Sequence, residues 1–103
     1  MKIHPIEIYQ AKKRIAQYVT RTPLVRSHAL SNQFEAEIWC KLETMQPTGA
    51  FKLRGATNAI LQLNEKQRKL GVVAVSTGNH GRGVAYAARE QNIRAVICLS
   101  SLV

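Results

Sequence analysis

Residues 47–56, Pro-Thr-Gly-Ala-Phe-Lys-Leu-Arg-Gly-Ala, join a glycine turn to the start of a helical pattern and place Lys52 at the mouth of that helix. The positive end of a helix disfavours an additional ammonium charge, and the apolar neighbours Ala50, Phe51 and Leu53 would desolvate it. Both effects favour the neutral amine, which can attack a carbonyl carbon and form a Schiff base. Most lysines are solvated surface residues, so position alone leaves open whether this lysine is reactive.

A second loop, residues 76–83 (Ser-Thr-Gly-Asn-His-Gly-Arg-Gly), precedes an alanine-rich helical pattern. The free N–H groups at a helix N-terminus bind anions, and a substrate carboxylate fits there. The ordinary alternative is that Asn79 or Thr77 only caps the helix. The glycine spacing G-x-x-G-x-G differs from the dinucleotide-binding fingerprint G-x-G-x-x-G. His80 is read as a neighbour of the cap or a surface residue more readily than as a general base.

Hydrophobic periodicity outside these loops predicts an α/β fold. A helix begins near Pro5 and ends before Thr22-Pro23, because the residue before proline avoids the helical region. From residue 37 onward the predicted order is β-α-β-α-β with one loop: strand Glu37–Leu42, helix Ala50–Asn64, loop Lys66–Gly71, strand Val72–Val75, helix Asn79–Gln91 and strand Ala95–Leu99. Strands that alternate with helices predict a parallel sheet. Ligands bind beyond the carboxyl ends of such strands, so both loops should meet at one edge.

Length and composition restrict the class of protein. A chain of 103 residues, 46% apolar, forms one domain or part of one. It contains no apolar run long enough to cross a bilayer, and its N-terminus lacks the apolar stretch of a signal peptide, so we expect a cytoplasmic protein without a membrane partner. Cys40 and Cys98 have no metal-ligand spacing and are predicted to be buried, reduced thiols, with no metal site.

The net charge of +9 raises the alternative of a nucleic-acid binder. The basic residues are scattered along the chain, and no aromatic residues are interleaved with them in the way that stacks bases. A solvated basic surface is therefore favoured, and no nucleic-acid partner is expected.

Four motifs closely resemble the serine/threonine dehydratases, which are fold-type II pyridoxal-phosphate enzymes with a fold like that of tryptophan synthase β. The motifs are Arg21–Leu24 (RTPL), Lys41–Glu43 (KLE), Gln46–Ala56 (QPTGAFKLRGA) and Ser76–Gly81 (STGNHG), in family order and at family spacing. The resemblance implies pyridoxal 5'-phosphate as cofactor. It also implies a lyase that removes water and ammonia from threonine or serine to give a 2-oxo acid, working as a homo-oligomer in the full-length protein.

The resemblance also implies roles for individual residues. Lys52 would carry the cofactor as a Schiff base and move protons at the substrate α-carbon. Phe51 would pack beside the cofactor ring, and Asn79 would donate a hydrogen bond to its phenolic oxygen. The residues that would line the substrate carboxylate pocket are Ser76, Gly78, Asn79 and His80.

Departures from the family pattern refine this interpretation. Arg82 stands where the family usually has glutamine. Thr77 stands where serine racemases carry a serine base, which favours dehydration over racemisation. Leu53 and His80 replace the aspartate and threonine of cysteine synthases, which again favours a dehydratase.

The family's glycine-rich phosphate cradle and the residue that faces the pyridine nitrogen lie beyond residue 103. The chain also stops directly after a buried-type strand, with no helix to cover it. We therefore expect residues 1–103 to be a single partial domain, the N-terminal segment of such a dehydratase, inactive in isolation. The alternatives are a catalytically silent α/β binding or interaction module and a serine racemase-like enzyme.

Overall fold

The computed structural model of the chain describes residues 3–101. The helices and strands, with one 3-10 turn at Glu43–Met45, are α1 (Pro5–Ile15), β1 (Leu24–Arg26), α2 (His28–Phe34), β2 (Trp39–Lys41), α3 (Lys52–Leu61), α4 (Glu65–Leu70), β3 (Val72–Val75), α5 (Asn79–Glu90) and β4 (Ala95–Cys98). The predicted α/β class is confirmed. None of the helices within residues 3–101 is both long and apolar enough to span a bilayer.

Strands β3 and β4 form the parallel pair that the sequence predicts. Val72 lies opposite Ala95 and Val75 lies opposite Cys98, and α5 connects the two strands and packs on both. Both strands are runs of apolar residues, as is typical of parallel strands that are covered by helices. The carboxyl ends of this pair lead into residues 76–80 and residue 99 onward.

Strand β2 does not join this pair. It pairs antiparallel with β1, with Leu24 opposite Lys41 and Arg26 opposite Trp39, so residues 3–101 hold two separate two-stranded sheets. The prediction of one parallel sheet is thus corrected for its first strand. The physical reason lies in the pattern: β2 alternates between exposed and half-buried residues, which is typical of an antiparallel pair with one solvated face.

Helix α4 replaces the loop predicted at Lys66–Gly71. The Asn64 side chain accepts a hydrogen bond from the Gln67 N–H at 2.9 Å, and the Gln67 side chain accepts one from the Asn64 N–H at 2.9 Å. This reciprocal capping box starts the helix, and Gly71, at φ 85°, ends it. The helix has no buried residue, so hydrophobic periodicity could not have predicted it.

Helices α3 and α5 pack closely and form the centre of the core. The buried side chains of this cluster are Ala56, Ile60, Val84, Ala87, Ala88 and Ile93. Two glycines of α5 permit the close approach. A β-carbon at Gly83 would lie 3.2 Å from the carbonyl carbon of Lys52, and one at Gly81 would lie 2.8 Å from the Ile97 side chain. The first turns of α5 are therefore held between the start of α3 and the β3–β4 pair.

The other face of β3 and β4 is exposed within the described residues. Val73 and Val75 are 71% and 80% exposed. Cys98 lies exposed on this sheet and Cys40 is only half-buried. The prediction of free thiols is confirmed, but the prediction that both are buried is wrong, because α5 covers only one face of the pair.

Candidate active site

The lysine segment reaches α3 through a tight turn. Gly49 has φ 71°, a conformation that favours glycine, and its N–H donates to the Gln46 carbonyl at 2.7 Å. Lys52 is the first residue of α3, as the sequence predicts. Its ammonium lies 5.2 Å from the centroid of the Phe51 ring, within cation–π range.

The side chain of Lys52 is exposed within the described residues, so the predicted desolvation of this amine is not seen there. Ala50 and Leu53 are buried, but they pack beneath the turn and the helix, whereas Phe51 is 60% exposed. The sequence correctly indicated apolar neighbours. It could not indicate that only the Phe51 ring approaches the ammonium.

The second loop ends at Gly78, the N-cap residue of α5. Gly78 has no side chain and makes no side-chain cap, so the alternative in which Asn79 or Thr77 occupies the cap position is wrong. Within the loop, the Gly78 N–H donates to the Ser76 hydroxyl at 3.3 Å. The first N–H groups of a helix lack intrahelical partners, so this end of α5 can accept an anion.

The close contact between Gly83 and Lys52 brings the two loops together. A cavity of about 430 Å³ is lined by Phe51, Lys52 and His80, among apolar residues of α3 and β3. A neighbouring cavity of about 310 Å³ is lined by Asn79, Phe51 and residues 41–44. Phe51 forms part of both walls, so four of the six predicted site residues adjoin one another.

Ser76 and Gly78 line a third cavity, of about 280 Å³, together with Thr77 and Arg82. The structure therefore places the predicted carboxylate loop beside the lysine cavity rather than inside it. Asn79 and His80, the first two residues of α5, connect the three cavities.

Sequence reasoning missed a polar cluster beside the lysine segment. Glu43 accepts two hydrogen bonds from Arg54, Nε and Nη2 each at 2.8 Å, one from the Thr22 hydroxyl at 2.6 Å and one from the Gln46 amide at 3.3 Å. The hydrogen bonds from Arg54 are the main cause that lowers the pKa of Glu43 to about 2. A glutamate and an arginine on either side of the lysine turn were the available signal.

Comparison with known proteins assigns this arrangement to a family. Residues 15–102 match the pyridoxal-phosphate dependent enzyme family. The chain belongs to this family. Its cofactor is pyridoxal 5'-phosphate, and the solved structures that it resembles establish the fold as fold-type II.

Several curated relatives of this pyridoxal-phosphate enzyme chain act on hydroxy amino acids by name. It is 53% identical over 96 residues to a protein of Sinorhizobium fredii that is named, provisionally, as a threonine dehydratase, covering 93% of the chain and 29% of the relative. It is 42% identical to a serine racemase of Schizosaccharomyces pombe and 46% identical to an L-threonine ammonia-lyase of Thermotoga maritima, each over 90% of the chain and over 29% and 23% of the relative.

Solved structures agree with these relatives. Maize serine racemase superimposes with a TM-score of 0.85 at 41% identity, covering 92% of the chain and 30% of that structure. A bacterial threonine deaminase, from the organism abbreviated T.th., superimposes with a TM-score of 0.79 at 40% identity, covering 91% and 33%. The chain thus spans about a third or less of the length of these proteins.

The residues of this family member fit the aldehyde end of pyridoxal phosphate. The Lys52 amine is accessible, as a carbonyl-attacking group must be, and the Phe51 ring beside it offers an apolar wall. The exposed amide of Asn79 can donate to a phenolic oxygen. The donor set therefore suits the reactive end of the cofactor.

Proposed function

We propose that this chain carries the reactive lysine of a threonine/serine ammonia-lyase, which removes water and ammonia from the amino acid and releases a 2-oxo acid. One observation carries the proposal: Lys52 begins α3 directly against Gly83 of α5, and its cavity is shared with His80 at the end of the carboxylate loop. Relatives named as threonine dehydratases and threonine ammonia-lyases support the choice of substrate.

In the proposed reaction each loop has a separate task. When bound, pyridoxal phosphate supplies a sink for the electrons that are released at the α-carbon. Lys52 holds the group, with Phe51 beside its ring and Asn79 donating to its phenolic oxygen, and then moves the proton at the substrate α-carbon. The loop of Ser76, Gly78, Asn79 and His80 binds the substrate carboxylate through backbone N–H groups at the start of α5. The β-hydroxyl then leaves, and the resulting enamine hydrolyses to the oxo acid and ammonia.

Chemical trapping tests the assignment of Lys52. The protein is incubated with pyridoxal phosphate, reduced with borohydride and digested, and the modified peptide is mapped by mass spectrometry. We expect the stable pyridoxyl label on Lys52, and its loss from that peptide in Lys52→Ala. A label that falls mainly on Lys41 or Lys66 would contradict the assignment. Absence of any preferred lysine would favour the alternative of a catalytically silent binding module.

Serine racemisation is the second candidate, because serine racemases are among the relatives and among the similar folds. Thr77 is exposed beside the carboxylate loop and offers a hydroxyl, although with a methyl group that a serine base lacks. Incubation with L-serine, followed by assays for oxo acid and for D-serine, separates the two. We expect oxo acid to dominate in the complete protein.

The proposal extends to the setting of the enzyme. The substrate is a small amino acid, the location is the cytoplasm, and the complete protein is a homo-oligomer. Fractionation of cells and light scattering on the complete protein test the last two points.

A further inference from the structure

The most connected polar group of the described chain is the cluster of Thr20, Thr22, Glu43, Gln46 and Arg54, which we call the Glu43 cluster. The Glu43 carboxylate is its centre, with the four hydrogen bonds described above. The side chains of Glu43 and Arg54 are only 16% and 34% exposed. Their two parallel N–H···O bonds fix the relative orientation of the two groups, because a guanidinium and a carboxylate match only in one plane.

The cluster joins three segments that are distant in sequence. Gln46 donates to the Thr20 carbonyl at 2.9 Å and accepts from the Thr20 N–H at 3.0 Å, which ties the lysine turn to the segment before β1. Glu43 lies in the 3-10 turn, and Arg54 lies in the first turn of α3. The pair therefore closes a loop whose last residues include Lys52.

Lys52 is held from two sides as a result. On one side its backbone touches α5 at Gly83. On the other side Arg54, two residues further along α3, is fixed to Glu43. Residues 41–44 also line the cavity that contains Asn79 and Phe51, so movement of Glu43 would change the wall of that cavity.

We propose that Glu43 is a positioning residue for the reactive lysine: through Arg54 and Gln46 it sets where the first turn of α3 presents Lys52 relative to Asn79. This inference rests on the proposed function of Lys52. Glu43 does not touch the reacting atoms. Loss of its charge would leave the Arg54 guanidinium unpaired near Lys52 and would release the turn that carries Phe51.

The test compares the trapping of Lys52 in Glu43→Gln with that in the unmodified protein. Glutamine keeps the length of the side chain and can still accept from Thr22, but it cannot form the ion pair with Arg54. Exposed Lys13 serves as an internal reference for labelling in the same sample. We expect the Lys52-to-Lys13 labelling ratio to fall on the order of tenfold, since small misplacements of reactive groups cost rates of this size or more. We also expect a changed pH profile for Lys52 labelling and partial recovery of the ratio in Glu43→Asp.

Glu65→Gln is the matched control, because Glu65 pairs with Lys69 in a fully exposed helix pair, at 3.1 Å. It should leave the ratio unchanged. Circular dichroism and urea unfolding report whether each variant is folded. If Glu43→Gln does not fold, Arg54→Lys decides, since it keeps the positive charge but loses the two-point geometry, and it should lower the ratio.

The outcomes separate the two proposals. Preferred labelling of Lys52 that is equal in the unmodified protein and in folded Glu43→Gln would overturn the positioning role while the proposed function stands. No preference for Lys52 in the unmodified protein would overturn the proposed function, and the positioning role with it. A lowered ratio with an unchanged pH profile and no recovery in Glu43→Asp would also count against positioning.

Discussion

Asn79 combines a polar side chain with the first position of α5, directly next to the residue that caps the helix. Because the cap position belongs to Gly78, the amide of Asn79 is not needed to start the helix. Its exposure beside Phe51 leaves the amide available to a ligand in the cavity that they share. A polar group that the fold does not use at such a place is a reasonable binding group.

Replacement of Asn79 by aspartate tests this interpretation. We expect Asn79→Asp to fold normally, since an acidic residue in the first turn of a helix is favourable. The negative charge beside the phenolic oxygen should shift the absorption band of bound pyridoxal phosphate and lower oxo-acid release in the complete enzyme by at least about tenfold, the factor that a lost catalytic hydrogen bond typically costs. Gln10→Glu, on the exposed surface of α1, is the control. An unaltered spectrum and rate in Asn79→Asp would show that its amide has no role.

Glu43 gives the stability of the chain a defined dependence on pH. Its folded pKa is about 2, lowered first by its hydrogen bonds from Arg54, whereas an unfolded glutamate titrates near about 4.3. A lowered folded pKa adds stability above the unfolded value, and that stability is lost as the pH falls toward 2. The contribution is roughly 2–3 kcal/mol at neutral pH.

Urea unfolding between pH 2 and pH 7 measures this contribution. The difference in unfolding free energy between the unmodified protein and Glu43→Gln should be largest above pH 5 and should shrink toward zero near pH 2, where the protonated carboxyl resembles an amide. The exposed pair of Glu65 with Lys69 should contribute little at any pH, so Glu65→Gln is the reference. A difference that does not vary with pH would refute the linkage.

At the scale of elements, the contact between α3 and α5 decides where the reactive lysine lies. Gly83 is the point of closest approach, because a β-carbon there would meet the carbonyl of Lys52 and the backbone nitrogen of Leu53 at 3.2–3.3 Å. Gly55, on α3, has nothing within 4 Å of such a carbon. The two glycines therefore differ in packing although both lie within helices.

Alanine substitutions at these glycines should have opposite effects. Alanine favours a helix by up to about 1 kcal/mol over glycine, so Gly55→Ala should raise the unfolding free energy by about that amount. In Gly83→Ala the same gain is outweighed by overpacking against backbone, which costs roughly 1–3 kcal/mol. We expect lower stability and weaker trapping of Lys52. Thermal and urea unfolding measure the first effect, and equal stabilisation by both substitutions would contradict this view of the contact.

The elements also show how far sequence reasoning reaches. Apolar periodicity predicted α3, β3, α5 and β4 to within a few residues at each end, because each buries one face or one run. It missed α4, which has no buried face, and it assigned β2 to the wrong partner, because pairing depends on contacts distant in sequence. In the site, the motifs predicted that Lys52 begins a helix, but the hydrogen bonds of Glu43 appear only in three dimensions.

At the scale of the whole molecule, the described chain leaves much apolar surface in contact with solvent. Val73, Val75 and Val96, on the face of the β3–β4 pair opposite α5, are 71%, 80% and 40% exposed. The relatives that the chain matches are at least about three times as long, as the coverage of their length shows. An open parallel pair with one uncovered apolar face is prone to associate with other chains.

We therefore expect the 103-residue chain, prepared alone, to self-associate and to lack turnover with threonine and serine, although Lys52 can still be trapped. Sedimentation should detect species larger than a monomer at raised concentration. The double substitution of Val73 and Val75 by threonine keeps β-branched residues in the strand but makes its exposed face polar, so it should shift the population toward monomer. Substitution of exposed Ile8 by threonine, on α1, is the control and should shift it less. A monodisperse monomer that releases oxo acid rapidly would refute this expectation. It would mean that residues 1–103 hold the cofactor without the remaining length found in the relatives.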